Sequence, residues 1–371
     1  MIIYPDNEVL QYSGRIDFED KKRPVFVYAG SYVKVKFTGN KCVAKISNKR
    51  SWAISSVGVI IDGKQGKIIL PEDDGVYEYD LMREALSINV DSTDGTLALE
   101  NPMAGLSDGE HELTLFKRLD GGQHYYTFYG FEFDDDAQIL APAPLPVRKI
   151  EVIGDSVSCG EVSEAVHCVA QSDPEDADGF YSNSWHSYGW QVARAFNAEI
   201  HITSQGGIAL LDGTGYFNGE KDLRGVLSSY EKLEYNPPLG EKPWDCSKWK
   251  PDLIITAFGQ NDANPVNFME NDYDGEAAKN WKAQYKGFLE KLQKLYPGVS
   301  IICITTVLMH NPNWDKAIDE VVNSMNDEKV HHFMFKRNGA ATPGHPRLPE
   351  HNEMAAELTE YIKSIEKTIW G

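Results

Sequence analysis

No apolar run in the sequence approaches the ~18–20 residues that a membrane-spanning helix needs, which excludes an integral membrane protein. Positive charge is scarce: 36 Lys and Arg stand against 56 Asp and Glu, a formal net charge of −20. Such a surface repels phosphate backbones and anionic lipid. Nucleic acid, membranes and polyanionic substrates are therefore not expected partners, whereas a neutral small molecule or polysaccharide is compatible. Cysteine is sparse as well. Cys42, Cys159, Cys168, Cys246 and Cys303 are odd in number and scattered, with no Cys-x-x-Cys spacing. This argues against a zinc ribbon or thioredoxin-type motif and for reduced, mostly buried thiols. The N-terminus, Met1-Ile2-Ile3-Tyr4-Pro5-Asp6, lacks the basic and apolar regions of a signal peptide. The expectation is a cytoplasmic protein, or a secreted one if a leader has been trimmed.

What is present is globular: 42% hydrophobic and 11% aromatic residues in 371, enough for two domains or one large one. Residues 1–135 read as β. Val33, Val35 and Phe37 alternate with Lys34, Lys36 and Thr38, the period of a half-buried strand. Similar runs lie at 42–46, 57–61, 67–70, 76–81, 86–90, 111–117 and 125–133. Turn signals separate them, among them Asp62-Gly63, Asp73-Asp74-Gly75, Asp94-Gly95 and Asp120-Gly121-Gly122. An antiparallel β-sandwich, jelly-roll-like, is expected over 1–140. The Pro-rich stretch 141–147 reads as a stiff linker.

From 148 to 371 strand and helix patterns alternate. Apolar strands are expected at 149–153, 199–203, 252–258 and 299–307, and helices at 185–196, 276–295 and 352–369. Continuous apolar strands between helices point to a mainly parallel sheet covered on both faces, an α/β/α domain. Residues 161–182 and 211–250 are long insertions of the kind that form lids or binding loops.

Four strand ends carry residues suited to chemistry. After 150–153 comes Gly154-Asp155-Ser156, which sets a hydroxyl where the ligand crevice of an open α/β sheet lies. After 255–258 comes Gly259-Gln260-Asn261-Asp262, whose Asn261 amide can donate to an oxyanion. After 202–205 comes Gly206-Gly207, with backbone N–H groups unshielded by side chains. Gly344-His345-Pro346 precedes the last helix and offers a base for a Ser nucleophile. Each signal is weak alone. In this order, Ser, Gly, Asn and His resemble the SGNH (GDSL-type) hydrolases over residues 148–371. The Gly-x-Ser-x-Gly elbow of the α/β-hydrolases is absent.

With a β-sandwich ahead of it, and with Ala29-Gly30-Ser31-Tyr32 leading into the strand at 34–37 and Gly39, the chain resembles carbohydrate esterase family two. That resemblance implies a serine esterase removing O-acetyl groups from plant cell-wall carbohydrates such as xylan and glucomannan. It implies Ser156 as nucleophile, His345 as general base, and an oxyanion hole of the Ser156 N–H, a Gly206 or Gly207 N–H, and Asn261. No metal or organic cofactor is implied, and self-association is left open. Asp155 is expected to tie down its turn. Two departures stand out. The superfamily's Asp three residues before the His is Thr342 here, with no acidic residue between Glu328 and His345. The resemblance then implies a Ser-His dyad, a backbone carbonyl holding the His Nδ1–H. Gly344 replaces an aromatic residue found in many relatives, which implies a wider acyl or sugar site.

Other features have plainer readings. Trp244 and Trp249 either stack on sugar rings or pack. His331-His332 and Asp134-Asp135-Asp136 are expected to be an ordinary strand and turn rather than metal sites. The alternatives kept open are another SGNH carboxylesterase, thioesterase or lysophospholipase, and a carbohydrate-binding protein that has lost catalysis.

Overall fold

The computed structural model describes all residues except 91–96, 220–221 and 341. The alternation of Tyr32–Thr38 becomes a strand whose Val33, Val35 and Phe37 are fully buried. It lies in an antiparallel sheet with Ile139–Leu140, Glu110–Lys117, Ser56–Ile61 and Lys64–Ile69, and Gln11–Ser13 also pairs with it. A second antiparallel sheet contains Ile16–Asp17, Val25–Phe26, His124–Phe133, Cys42–Arg50 and Val76–Asp80, with Ile2–Ile3 added to His124–Phe133. The inner faces share one core, in which Val33, Val35 and Phe37 meet Phe128, Phe131 and Phe133. This is the expected sandwich. The strand expected at 42–46 continues to Arg50 because Ser47–Arg50 keep pairing with His124–Thr127. The Asp94-Gly95 turn lies outside the described residues.

Beyond residue 147 runs a parallel sheet of β1 (Arg148–Ile153), β2 (Ala198–Ile202), β3 (Leu253–Ala257), β4 (Ser300–Ile304) and β5 (Val330–His332), in spatial order β2-β1-β3-β4-β5. β3 and β4 are buried along their whole length. Helices Glu276–Leu295 and Asn313–Met325 cover one face, packing Trp281, Phe288 and Ile318 on Ile254 and Ile301. Tyr188–Ala195 and Leu348–Ser364 cover the other, packing Val192, Leu358 and Ile362 on Ile150 and Ile302. The first helix of this face starts later than its periodicity predicts: Ser184–His186 is a 3-10 turn, and the Ser187 side chain caps the helix proper. The last starts earlier, at Leu348, where Pro349 fits the first turn and Glu350 accepts from the Arg347 N–H at 2.9 Å.

The sandwich and the α/β part share buried residues. Val27, Tyr28 and Tyr125 join one helical face, and Ala29, Tyr32 and Phe116 the other. Arg15 of the sandwich meets Glu151 of β1 at 2.8 Å, both side chains 1% exposed. The Asp120-Gly121-Gly122 turn reaches under the sheet's carboxyl edge, where the Gly122 N–H donates to Gln205 Oε1 at 2.7 Å.

Candidate active site

The strand order reverses direction between β1 and β3, and ligands of open α/β sheets gather outside the carboxyl ends at such a point. Here four loops converge. At the end of β1, Gly154 leaves no room for a side chain: a Cβ would lie 2.4 Å from Ser158 Oγ. Asp155 Oδ1 accepts the Val157 N–H at 3.0 Å and caps the short helix Ser156–Cys159. That fixes Ser156, 6% exposed, at the turn. Burial pushes the Asp155 carboxyl up to about 6, against the pull of the Val157 hydrogen bond.

After β3, Asp262 Oδ2 accepts the Gly259 N–H at 3.0 Å while its Oδ1 accepts the Leu210 N–H at 3.0 Å and Trp281 Nε1 at 2.6 Å. One buried carboxylate thus ties the β2 and β3 loops together, so Asp262 supports the turn rather than serving as a base. Beside it, the Asn261 amide donates to Ile208 O at 3.1 Å and approaches Asp155 Oδ2 at 3.4 Å. The two glycines after β2 differ. The Gly206 N–H donates to Asp120 Oδ2 at 3.2 Å. The Gly207 N–H finds no acceptor among the described residues, and its φ of +72° is a conformation glycine adopts freely.

Ser156, Gly206, Gly207, Asn261 and His345 all line one open cleft of about 520 Å³. The structure therefore brings together every candidate site residue read from the sequence.

The group that orients His345 differs from the expectation. Among the described residues no backbone carbonyl holds the ring. Its Nδ1 lies 2.6 Å from Asp173 Oδ2, and its own N–H donates to Asp173 Oδ1 at 2.9 Å. Asp173 belongs to the 161–182 insertion. The buried Arg347 side chain pins that segment, with Nη1 3.0 Å from Asp173 Oδ1 and Nη2 donating to Ser172 O at 3.2 Å. Burial works against the Asp173 charge, but the hydrogen bonds from His345 and Arg347 outweigh it and hold the carboxyl well below the usual carboxylate range. Asp173 fixes the tautomer that leaves Nε2 free to take a proton.

Gly344 packs against the same segment. A Cβ at Gly344 would lie 2.7 Å from Asp173 Oδ1 and 2.8 Å from both Asp173 N and Gln171 O. The missing side chain makes room for the acid.

Sequence reasoning also missed Trp52, Glu161, Arg347 and Tyr216. Trp52, from the sandwich, and Tyr216, from the second insertion, line the cleft at 51% and 64% exposure. By contrast Trp249 packs against His201 at 3.6 Å, and Trp244 takes Arg15 over its ring at 5.3 Å, so neither faces the cleft. Asp134 accepts the Asn40 N–H and Asp135 meets the N-terminus at 3.1 Å, a solvated turn. His331 and His332 lie on β5, where His332 Nδ1 meets Asp319 at 3.3 Å. All five cysteines are free thiols, Cys168 half-buried and the rest buried.

Comparison with known proteins sets the chain beside carbohydrate esterases. Residues 12–85 and 83–144 match the family described as Carbohydrate esterase 2 N-terminal. The cellulase/esterase CelE of Acetivibrio thermocellus is 28% identical over 370 residues, which are 97% of this chain; the chain spans 40% of that protein's length. The acetylxylan esterase / glucomannan deacetylase of Cellvibrio japonicus is 26% identical over 364 residues, 96% of this chain and 88% of that protein. A family two carbohydrate esterase from Clostridium thermocellum, solved with cellohexaose, superposes with a TM-score of 0.72 at 25% identity, over 97% of this chain and 99% of that one. The sandwich is thus similar in sequence to the N-terminal domain of carbohydrate esterase family two, and both domains superpose on a solved family two carbohydrate esterase.

Proposed function

We propose that the chain is a serine esterase that removes O-acetyl groups from plant cell-wall carbohydrates, with Ser156 as nucleophile, His345 as general base and Asp173 as the group that orients it. The observation that carries this reading is the meeting of Ser156, Asn261, Gly207 and a carboxylate-held His345 on one cleft. His345 Nε2 takes the proton from Ser156 Oγ as the oxygen attacks the acetyl carbonyl. The Ser156 N–H, free at the first position of its helix, the Gly207 N–H and the Asn261 amide donate to the oxyanion. The intermediate collapses, the sugar alcohol leaves with the proton from His345, and water hydrolyses the acetyl-enzyme by the same path.

The supply of an acid from the insertion removes the reason for reading the chain as a binding protein that has lost catalysis. The Cellvibrio japonicus relative, an acetylxylan esterase / glucomannan deacetylase, supports an acetylated β-linked glycan as substrate. Trp52 and Tyr216, exposed on the cleft wall, suit stacking against sugar rings. The test is acetate release from acetylated xylo- and manno-oligosaccharides by the wild type, Ser156→Ala and His345→Ala. Release that both substitutions abolish supports the reading. Silence on sugar acetates, with cleavage of longer acyl esters or thioesters, replaces it with another acyl hydrolase.

A further inference from the structure

We propose that Glu161 is a specificity-determining residue of this site, its carboxyl recognising the hydroxyl next to the departing oxygen on the alcohol side of the ester; this rests on the esterase reading above. Glu161 lines the cleft, and its Oε2 lies 3.9 Å from His345 Nε2. That nitrogen returns the proton to the leaving oxygen, so in the complex the leaving oxygen sits within hydrogen-bond reach of it. Glu161 therefore stands beside the alcohol.

The backbone is shaped around this carboxyl. A Cβ on Gly206 would lie 2.0 Å from Glu161 Oε1 and 2.9 Å from Asp120 Oδ2. Glycine is required for the two acids to face each other there. Asp120, on the sandwich turn, is fully buried, and its Oδ2 already accepts the Gly206 N–H. Two carboxyls in contact share a proton. Asp155 on the nucleophile turn and Asp173 on the insertion add further negative charge from other sides, with His345 the nearby base. Burial and Asp120 together push the Glu161 carboxyl well above the usual carboxylate range, which favours its protonated form. A neutral acid does little for an imidazolium, and Asp173 already serves the ring through Nδ1. With Oε1 and its proton engaged by Asp120, Oε2 is left facing the cleft to accept a hydrogen bond from a hydroxyl. A site built to pair with a hydroxyl discriminates against substrates that lack one.

The experiment compares kcat and KM of wild type, Glu161→Ala and Glu161→Gln on an acetylated xylo-oligosaccharide and on p-nitrophenyl acetate, whose leaving group carries no neighbouring hydroxyl. Circular dichroism and thermal unfolding of each variant accompany it. The expectation for Glu161→Ala is a loss of kcat/KM on the sugar ester, mainly in KM, that exceeds the loss on the aryl ester by ~10-fold or more. Glu161→Gln, which keeps a donor and an acceptor, recovers most of the sugar activity. Equal losses on both substrates would assign Glu161 to the catalytic frame and overturn the proposal, as would no loss on either. A wild type that hydrolyses neither ester overturns the esterase reading itself.

Discussion

Asp173 Oδ2 and His345 Nδ1, 172 positions apart in the chain, meet at 2.6 Å. The acid comes from an insertion after Ser156, while the loop that carries His345 has Thr342 where an acid was expected. In the proposed mechanism Asp173 holds the tautomer and stabilises the imidazolium that forms in the transition state. Asp173→Asn should therefore lower kcat by ~10²–10⁴-fold with a small change in KM. Steady-state acetate release checks this. A variant with wild-type kcat would reduce the site to a dyad.

Gly344 and Asp173 form one unit. In Gly344→Ala the new methyl meets backbone and carboxylate atoms at 2.7–2.8 Å, and the 171–173 segment must move. The Arg347 contacts resist that movement. A misplacement near 1 Å in a catalytic group costs up to ~10²-fold. Activity should fall ~10–100-fold, with destabilisation of about 1–3 kcal/mol. Kinetics paired with thermal unfolding measure both. Unchanged activity would mean that the insertion is free to shift without consequence for His345.

The Asn261 amide donates to Ile208 O and approaches Asp155 in the free enzyme, which pre-orients it toward the cleft. Removing one side-chain oxyanion donor typically costs ~10²–10³-fold in kcat. Asn261→Ala should show that loss on p-nitrophenyl acetate and on sugar acetates alike, because the donor serves the acyl group common to both. A loss confined to one substrate would place Asn261 in sugar recognition instead.

Strand-end chemistry was legible because it is local. Gly154-Asp155-Ser156 and Gly259-Gln260-Asn261 follow apolar strands directly, and the parallel sheet brings such ends together whatever the loops do. The alternation in Tyr32–Thr38 likewise announced the sandwich. Asp173 was not legible. It sits in a stretch with no periodicity, and its role depends on Arg347 and on the room left at Gly344, contacts with no short-range trace. Trp52 was hidden for a related reason: only the docking of the sandwich on the sheet turns an exposed loop residue into a cleft wall. The choice between Gly206 and Gly207 needed Asp120, a third distant residue that occupies one of the two N–H groups.

Asp155 gives a pH dependence of definite sign. Its folded value, raised by burial to about 6, lies above the unfolded value of 3.8. Between those values the folded protein holds a proton that the unfolded chain has released. The contribution of this group to stability is thus fully present below the unfolded value and declines as pH rises through about 6. Asp155→Asn removes the titration while keeping a side chain that caps helices well. The change in unfolding free energy from pH 4 to 6.5 should differ between variant and wild type by a few kcal/mol, about 3 at most. Urea unfolding at several pH values measures the difference, and parallel curves would show that Asp155 titrates near its ordinary value.

The joint between the domains rests on a buried charge pair. Arg15 Nη2 meets Glu151 Oε1 at 2.8 Å, and Glu151 also accepts from Thr203 Oγ1 at 2.6 Å and Tyr230 Oη at 2.9 Å. Arg15→Met leaves that carboxylate buried with neutral donors only. Breaking a buried pair by removing one partner costs about 3–5 kcal/mol, most of it from the stranded charge. The double variant Arg15→Met with Glu151→Gln strands no charge and should recover a large part of the loss. Thr203 leads directly into the loop of Gly206 and Gly207, so the single variant should also lower acetate release at temperatures where it remains folded. If the two variants are equally destabilised in urea, the pair acts through packing and shape, and its charge has no part in holding the sandwich on the sheet.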